Sequence, residues 1–163
     1  MKQFLVMSAT AFFVASPALA QSPPPANDFI AQTIQGDNAE IAMGKLAQAR
    51  GGSKGVRDYA KMLVRDHEKN LGEARKLARA MKVKAPSGVP DGARQEQAKL
   101  TKLQGADFDK EFAAAMVDDH QKDIAAFQQE ANEATDPKVK DFATKSLPTL
   151  QKHLGAAQKL QKS

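Results

Sequence analysis

Four long stretches of this chain repeat apolar side chains at intervals of three and four, a spacing that commits them to α-helix. The first carries Phe29, Ile30, Ile34, Ile41, Met43, Leu46 and Ala47; it is expected to start near Asn27 or Asp28, either of which suits a helix cap, and it stops at Gly51-Gly52. Ser53 is placed to cap the second, which carries Val56, Tyr59, Ala60, Leu63, Val64, Leu71, Ala74, Leu77, Ala78 and Met81. Pro86, Gly88, Pro90 and Gly92 then break the chain, and a short helix is expected from about Ala93 to Leu103, ended by Gln104-Gly105. Asp107 is the expected cap of the third long stretch, with Phe108, Phe112, Met116, Ile124, Phe127 and Ala131. Asp136-Pro137 opens the fourth, because proline lacks only an N–H that the first helical position leaves unpaired anyway. Its stripe is Val139, Phe142, Ala143, Leu147, Leu150, Leu154, Ala157 and Leu160, and Pro148 inside it predicts a local kink.

The connections set the topology. The first and second stretches meet at a tight turn, and so do the third and fourth, so each pair is an antiparallel hairpin. Between the hairpins lies a connection long enough to run the length of a bundle and to hold a helix of its own. The expected fold is therefore all-α: a ferritin-like four-helix bundle of two antiparallel hairpins with one long crossover. A weak repeat supports it. Val56-Arg57-Asp58-Tyr59-Ala60 matches Val139-Lys140-Asp141-Phe142-Ala143, and Asp28-Phe29 matches Asp107-Phe108.

Residues 1–20 read as a cleaved signal peptide: Lys2, an apolar run from Phe4 to Ala15, and small residues at Ala18 and Ala20 before Gln21. The run is shorter than the roughly 20 residues that cross a bilayer. Residues 21–26 form a stiff Pro-rich lead-in and 27–163 the bundle domain, expected to be exported, periplasmic or else extracellular, with no membrane span after cleavage. The chain has no cysteine, so the bundle rests on packing or on packing plus a bound ion. The net charge of +5 becomes +4 once Lys2 is removed, and it is spread along every helix. A nucleic-acid surface would gather those cations on one face between aromatics, so no nucleic-acid partner is expected.

His67, His120 and His153 are the three histidines, one on each of three long helices and each on or beside the apolar stripe. Reflecting each hairpin about its turn brings His153 level with Asp118 and Asp119, beside His120, and Glu40 within about one turn of His67. Glu40, His67, Asp119, His120 and His153 thus gather near mid-bundle as candidate ligands for a transition metal such as Fe, Zn, Cu or Mn. The competing account, and the commoner fate of helical histidine, is structural: each imidazole bonds to a carboxylate such as Asp66, Asp119 or Glu40 and stiffens the packing. Geometry separates the two, since ligand nitrogens would converge within about 4–5 Å of one another. Di-iron bundles add a Glu three residues before the histidine, and here those positions are Val64, Val117 and Leu150. Iron oxidation and oxygenase chemistry are accordingly not expected, and no catalytic triad, phosphate loop or Cys nucleophile appears.

The residues also carry a resemblance. Glu40, Gly44 and Ala47, Val56 and Tyr59-Ala60, Met62 to Asp66-His67, Leu103, Gly105, Phe108-Asp109, Asp119-His120-Gln121, Leu147-Pro148 and His153-Leu154 resemble an exported bacterial family catalogued as domain of unknown function 4142, grouped with ferritin-like proteins. The likeness runs from about Asn27 to Leu160. It implies a ferritin-like fold and an envelope setting, and its Glu and His positions coincide with Glu40, His67, His120 and His153. It implies no activity. The expectation is a non-catalytic binding or stress-associated protein, with a mid-bundle residue set that is a candidate for holding a metal. The alternative is a structural module whose partner is a protein or the envelope, with a metal-dependent oxidase a distant third.

Overall fold

The computed structural model describes residues 25–162, and the signal-peptide expectation lies outside them. Among the described residues there are five α-helices and no strand: α1 (Ala26–Arg50), α2 (Lys54–Ala80), α3 (Asp91–Leu100), α4 (Gly105–Glu133) and α5 (Pro137–Gln161). None is long and apolar enough to cross a membrane. α1 packs along α2 and α4 along α5; α2 lies against α5, and the crossover carries α3 past α1 and α4. This is the expected bundle of two hairpins.

The caps are half as expected. Ser53 accepts from the Val56 N–H at 3.2 Å and Asp136 from the Lys138 N–H at 2.7 Å. α1, however, starts before Asn27. Pro25 fixes the extended turn-in at φ −51°, and its carbonyl accepts from the N–H groups of Asp28 and Phe29, so Asp28 sits in the first turn facing the positive helix end. α4 likewise starts at Gly105, two residues ahead of Asp107, because Gly105 takes φ +61° and redirects the chain into the helix. α3 spans Asp91–Leu100 rather than Ala93–Leu103, and α5 continues as one α-helix through Pro148.

The start of α4 is tied to the α1–α2 turn. Asp109 accepts from Gly52 N–H at 2.8 Å and Ser53 N–H at 2.7 Å, so one carboxylate satisfies two turn amides. The backbones touch here: a Cβ at Gly52 would lie 2.8 Å from Cα and the carbonyl carbon of Gly105. Gly52→Ala therefore forces the two hairpins apart at this end. A loss of about 1–3 kcal/mol is expected, read as a lowered urea midpoint with unchanged helicity.

The core is divided. One apolar cluster holds Phe29, Ile30, Ile34, Leu71, Leu77, Phe127 and Val139; the other holds Met43, Tyr59, Leu63, Phe108, Phe112 and Met116. The first lies at the start of α1 and the end of α4, the second at the end of α1 and the start of α4, so these two helices run antiparallel. Between the clusters, His67 falls between Leu63 and Leu71, and His120 between Met116 and Phe127. The break in the apolar core is a layer of polar side chains.

Candidate metal centre

Helical spacing puts His67 on α2, His120 on α4 and His153 on α5 at that layer, all buried, two of them with no exposed surface. One ring nitrogen of each lies within 4.8 Å of the other two. Every imidazole has a second nitrogen, and what that nitrogen touches decides its protonation. His67 Nδ1 lies 2.8 Å from Asp37 Oδ1. His120 Nδ1 lies 2.9 Å from the Met116 carbonyl, one turn back on its own helix. His153 Nε2 lies 3.1 Å from Asp66 Oδ2. The Met116 carbonyl and the ionised Asp66 only accept, so His120 Nδ1 and His153 Nε2 carry the hydrogen. Burial raises the Asp37 carboxyl against the pull of its bonds to His67 and Asn70, and Asp37 Oδ1 and His67 Nδ1 share one proton between them.

That accounting leaves a lone pair on His67 Nε2, His120 Nε2 and His153 Nδ1 in the neutral rings. His120 Nε2 and His153 Nδ1 face each other at 3.2 Å. Neither can donate without giving up its outer anchor. His67 Nε2 is buried with no partner at all. Three imidazoles, each oriented by a partner behind it, thus turn one nitrogen each on one point, bare on His120 and His153 and bare on His67 whenever that ring is neutral. Orienting acceptors of this kind accompany histidine ligands to metals.

A proton between two of the rings would relieve the lone-pair contact, but burial opposes it. His120 is pushed down to about 3 by burial and then by the neighbouring His67 and His153. His153 is lowered to about 4, also chiefly by burial, which outweighs its bond to Asp66. Burial alone would depress His67 too, but its bond to Asp37 and the charges of Glu40 and Asp37 raise it. Asp66 stays ionised: despite some burial, the bonds from Arg65 and His153 bring it down to about 2.

Glu40, from α1, is buried beside the histidines but stands outside the converging group, on the outer side of His120. Its Oε1 is 3.9 Å from His120 Nδ1, while its Oε2 is buried with no partner. Burial raises its carboxyl to about 8, with His67 pulling it down and Asp123, Asp119 and Asp37 pushing it up. Asp119 is half-buried and stands outside the histidine group. It precedes His120 by one residue, and adjacent helical residues point about 100° apart. The same geometry governs Asp66: it serves not its neighbour His67 but His153, on another helix.

Sequence reasoning passed over the anchor of His67. Asp37 is buried and accepts from Asn70 Nδ2 at 2.9 and 3.2 Å as well as from His67. Asn70 Oδ1 in turn accepts from Ser146 Oγ at 3.0 Å, which ties α5 into the chain. A signal was available, since reflection about Gly52 sets residue 37 level with residue 67. Asp37→Ala leaves a buried imidazole N–H and an amide unpaired. The expected cost is about 2–4 kcal/mol in urea unfolding, with metal affinity lowered roughly 10–100-fold.

The donor set fits a transition metal: neutral imidazoles bind Zn, Cu, Fe and Ni, and a buried carboxylate beside them balances charge. The family model for a domain of unknown function, DUF4142, matches residues 13–160. The chain belongs to this family. Among solved structures, a DUF305 fragment from Deinococcus radiodurans is similar in fold, with TM-score 0.74 and 15% identity over 87% of this chain and 99% of that one. So is CopM, solved in a Cu(II)-bound form (TM-score 0.71, 17% identity) and a Cu(I)-bound form (TM-score 0.70, 18% identity). Each CopM match covers 84% of this chain and 95% of that one. No curated protein matches in sequence.

Proposed function

We propose that this DUF4142 protein is an exported, non-catalytic metal-binding protein that holds one copper ion on His67, His120 and His153, with Glu40 beside it. The observation that carries the reading is the three converging ring nitrogens, two of them opposed at 3.2 Å, in rings whose other nitrogens are bonded to Asp37, the Met116 carbonyl and Asp66. A cation is the partner that arrangement lacks. The three imidazoles suit copper and zinc alike, and copper is favoured by the fold-mate CopM, which is known in Cu(II)- and Cu(I)-bound forms. A binding role is favoured over catalysis because Val64, Val117 and Leu150 stand where a di-iron centre has its bridging carboxylates. The amino-terminal segment supports export to the periplasm.

Elemental analysis of protein isolated from the cell envelope tests this, with a His67→Ala/His120→Ala control. One copper per chain in the wild type and none in the control is expected, with nitrogen hyperfine structure in the Cu(II) spectrum. Equal, sub-stoichiometric metal in both overturns the metal. Wild-type protein found only in the cytoplasm overturns the export.

A further inference from the structure

Deepening the copper reading, and resting on it, we infer that the cleft between α2 and α5 is a ligand site that lets an external anionic chelating group reach the copper and take it by direct exchange.

The cleft has a volume of about 690 Å³ and ends on His67 and His153. It does not touch His120 or Glu40. A cleft between α1 and α4, about 90 Å³ and lined by Asp37 and Asp123, also reaches His67, so the α2–α5 cleft is the wider of two approaches and the one that meets both His67 and His153. A space of this size suits a small organic molecule or a short side-chain assembly. Its floor is apolar, formed by Leu77, Leu150 and half-buried Phe142. Its exposed rim carries Lys69, Lys76, Lys138 and Lys145. Asp66, Glu73 and Asp141 are the lining carboxylates, so the cations outnumber them by one. That excess of positive charge on the rim favours an anionic ligand.

The inner end of the cleft explains why exchange would be direct. The three ligand rings are buried and held by Asp37, Met116 and Asp66, so they cannot swing out with the metal. Copper must then leave past the rings, and the cleft is where an incoming donor can meet it while the imidazoles still hold. Three protein nitrogens leave a coordination position for that donor. Thr149 lies one turn before His153 on the same face of α5 and lines the cleft, so it stands at the doorway.

The test follows transfer of Cu(I) from the loaded protein to the anionic chelator bathocuproine disulfonate by its absorbance, after the copper load of each protein has been measured. The wild-type rate is expected to rise in proportion to chelator concentration. Thr149→Trp is expected to lower that slope roughly tenfold or more, with equilibrium affinity unchanged. Lys69→Glu/Lys138→Glu, two exposed changes that leave the core intact, is expected to slow the anionic chelator while a neutral bipyridine is unaffected. A wild-type rate independent of chelator concentration overturns the inference, as does a Thr149→Trp protein that is loaded and helical yet exchanges like the wild type. Wild-type protein that takes up no copper overturns both this inference and the copper reading, whereas stoichiometric loading with either failure above overturns this one alone.

Discussion

Copper is expected to raise the thermal midpoint of the folded chain by roughly 10 °C, and His120→Leu/His153→Leu to abolish the rise. A ligand bound only by the native state, present a thousandfold above its dissociation constant, stabilises by about 4 kcal/mol. A domain of this size gains about 2–4 °C for each kcal/mol. The unfolded chain offers the same histidines scattered along it, so its own copper affinity trims the shift without erasing it. The double leucine variant removes two of the three donors from the layer where they meet, and leucine fills most of the space each ring occupied. Of the anchors it strands, Asp66 keeps its bond to Arg65 at 2.7 Å, and the Met116 carbonyl lies within α4. The variant should therefore fold without metal, which makes it a fair control. Differential scanning calorimetry with and without copper is the measurement. A variant that keeps the full shift places the copper elsewhere.

Glu40→Gln is expected to stabilise the metal-free protein by about 3 kcal/mol at pH 7, from the displaced carboxyl. Glu40 is raised from an ordinary 4.5 to about 8, first by burial, with the charges of Asp123, Asp119 and Asp37 added and that of His67 opposed. A group whose folded pKa is raised contributes its stability fully below the unfolded value, and loses it as pH climbs through the folded one. Wild-type stability from this group is therefore intact near pH 4.5 and falls towards pH 8. Glutamine has no such fall, so the two proteins converge at the acid end and part at neutral pH. Urea unfolding at both ends of that window, without metal, is the check; equal stability of the two proteins at pH 8 overturns it. With copper bound the order reverses in one respect. A carboxylate beside a cation is stabilised in its charged form, so Glu40→Gln is expected to lose some of the copper-induced rise.

Much of this molecule was readable before its coordinates. The spacing of apolar residues marks each long helix, and the two tight turns force the hairpins. The caps that held, Ser53 and Asp136, are side chains that satisfy helix amides wherever a helix starts after them. The starts that moved, at Ala26 and Gly105, are set by backbone: a proline's fixed φ and a glycine's positive φ. A residue scale for caps does not register either. The candidate histidines were visible too, because an imidazole on an apolar stripe must end up inside.

The partners of those histidines were not. Asp66 lies beside His67 in sequence yet bonds to His153, 87 residues away, and Asp119 lies beside His120 yet joins no ring. Neighbours on a helix diverge by about 100°, so adjacency along the chain says little about contact across a bundle. Asp37 sits on the buried stripe of α1 between Ile34 and Ile41, and the closing of α1 on α2 sets it against His67 and Asn70. What the sequence determined by itself is the set of helices, their pairing and the depth at which three imidazoles meet, because periodicity and turn length are local properties. What only the tertiary structure decided is which nitrogen of each ring is bare. That depends on the partner behind it, supplied by another helix for His67 and His153 and by the preceding turn for His120, and it makes a buried polar layer a candidate set of donors for a metal.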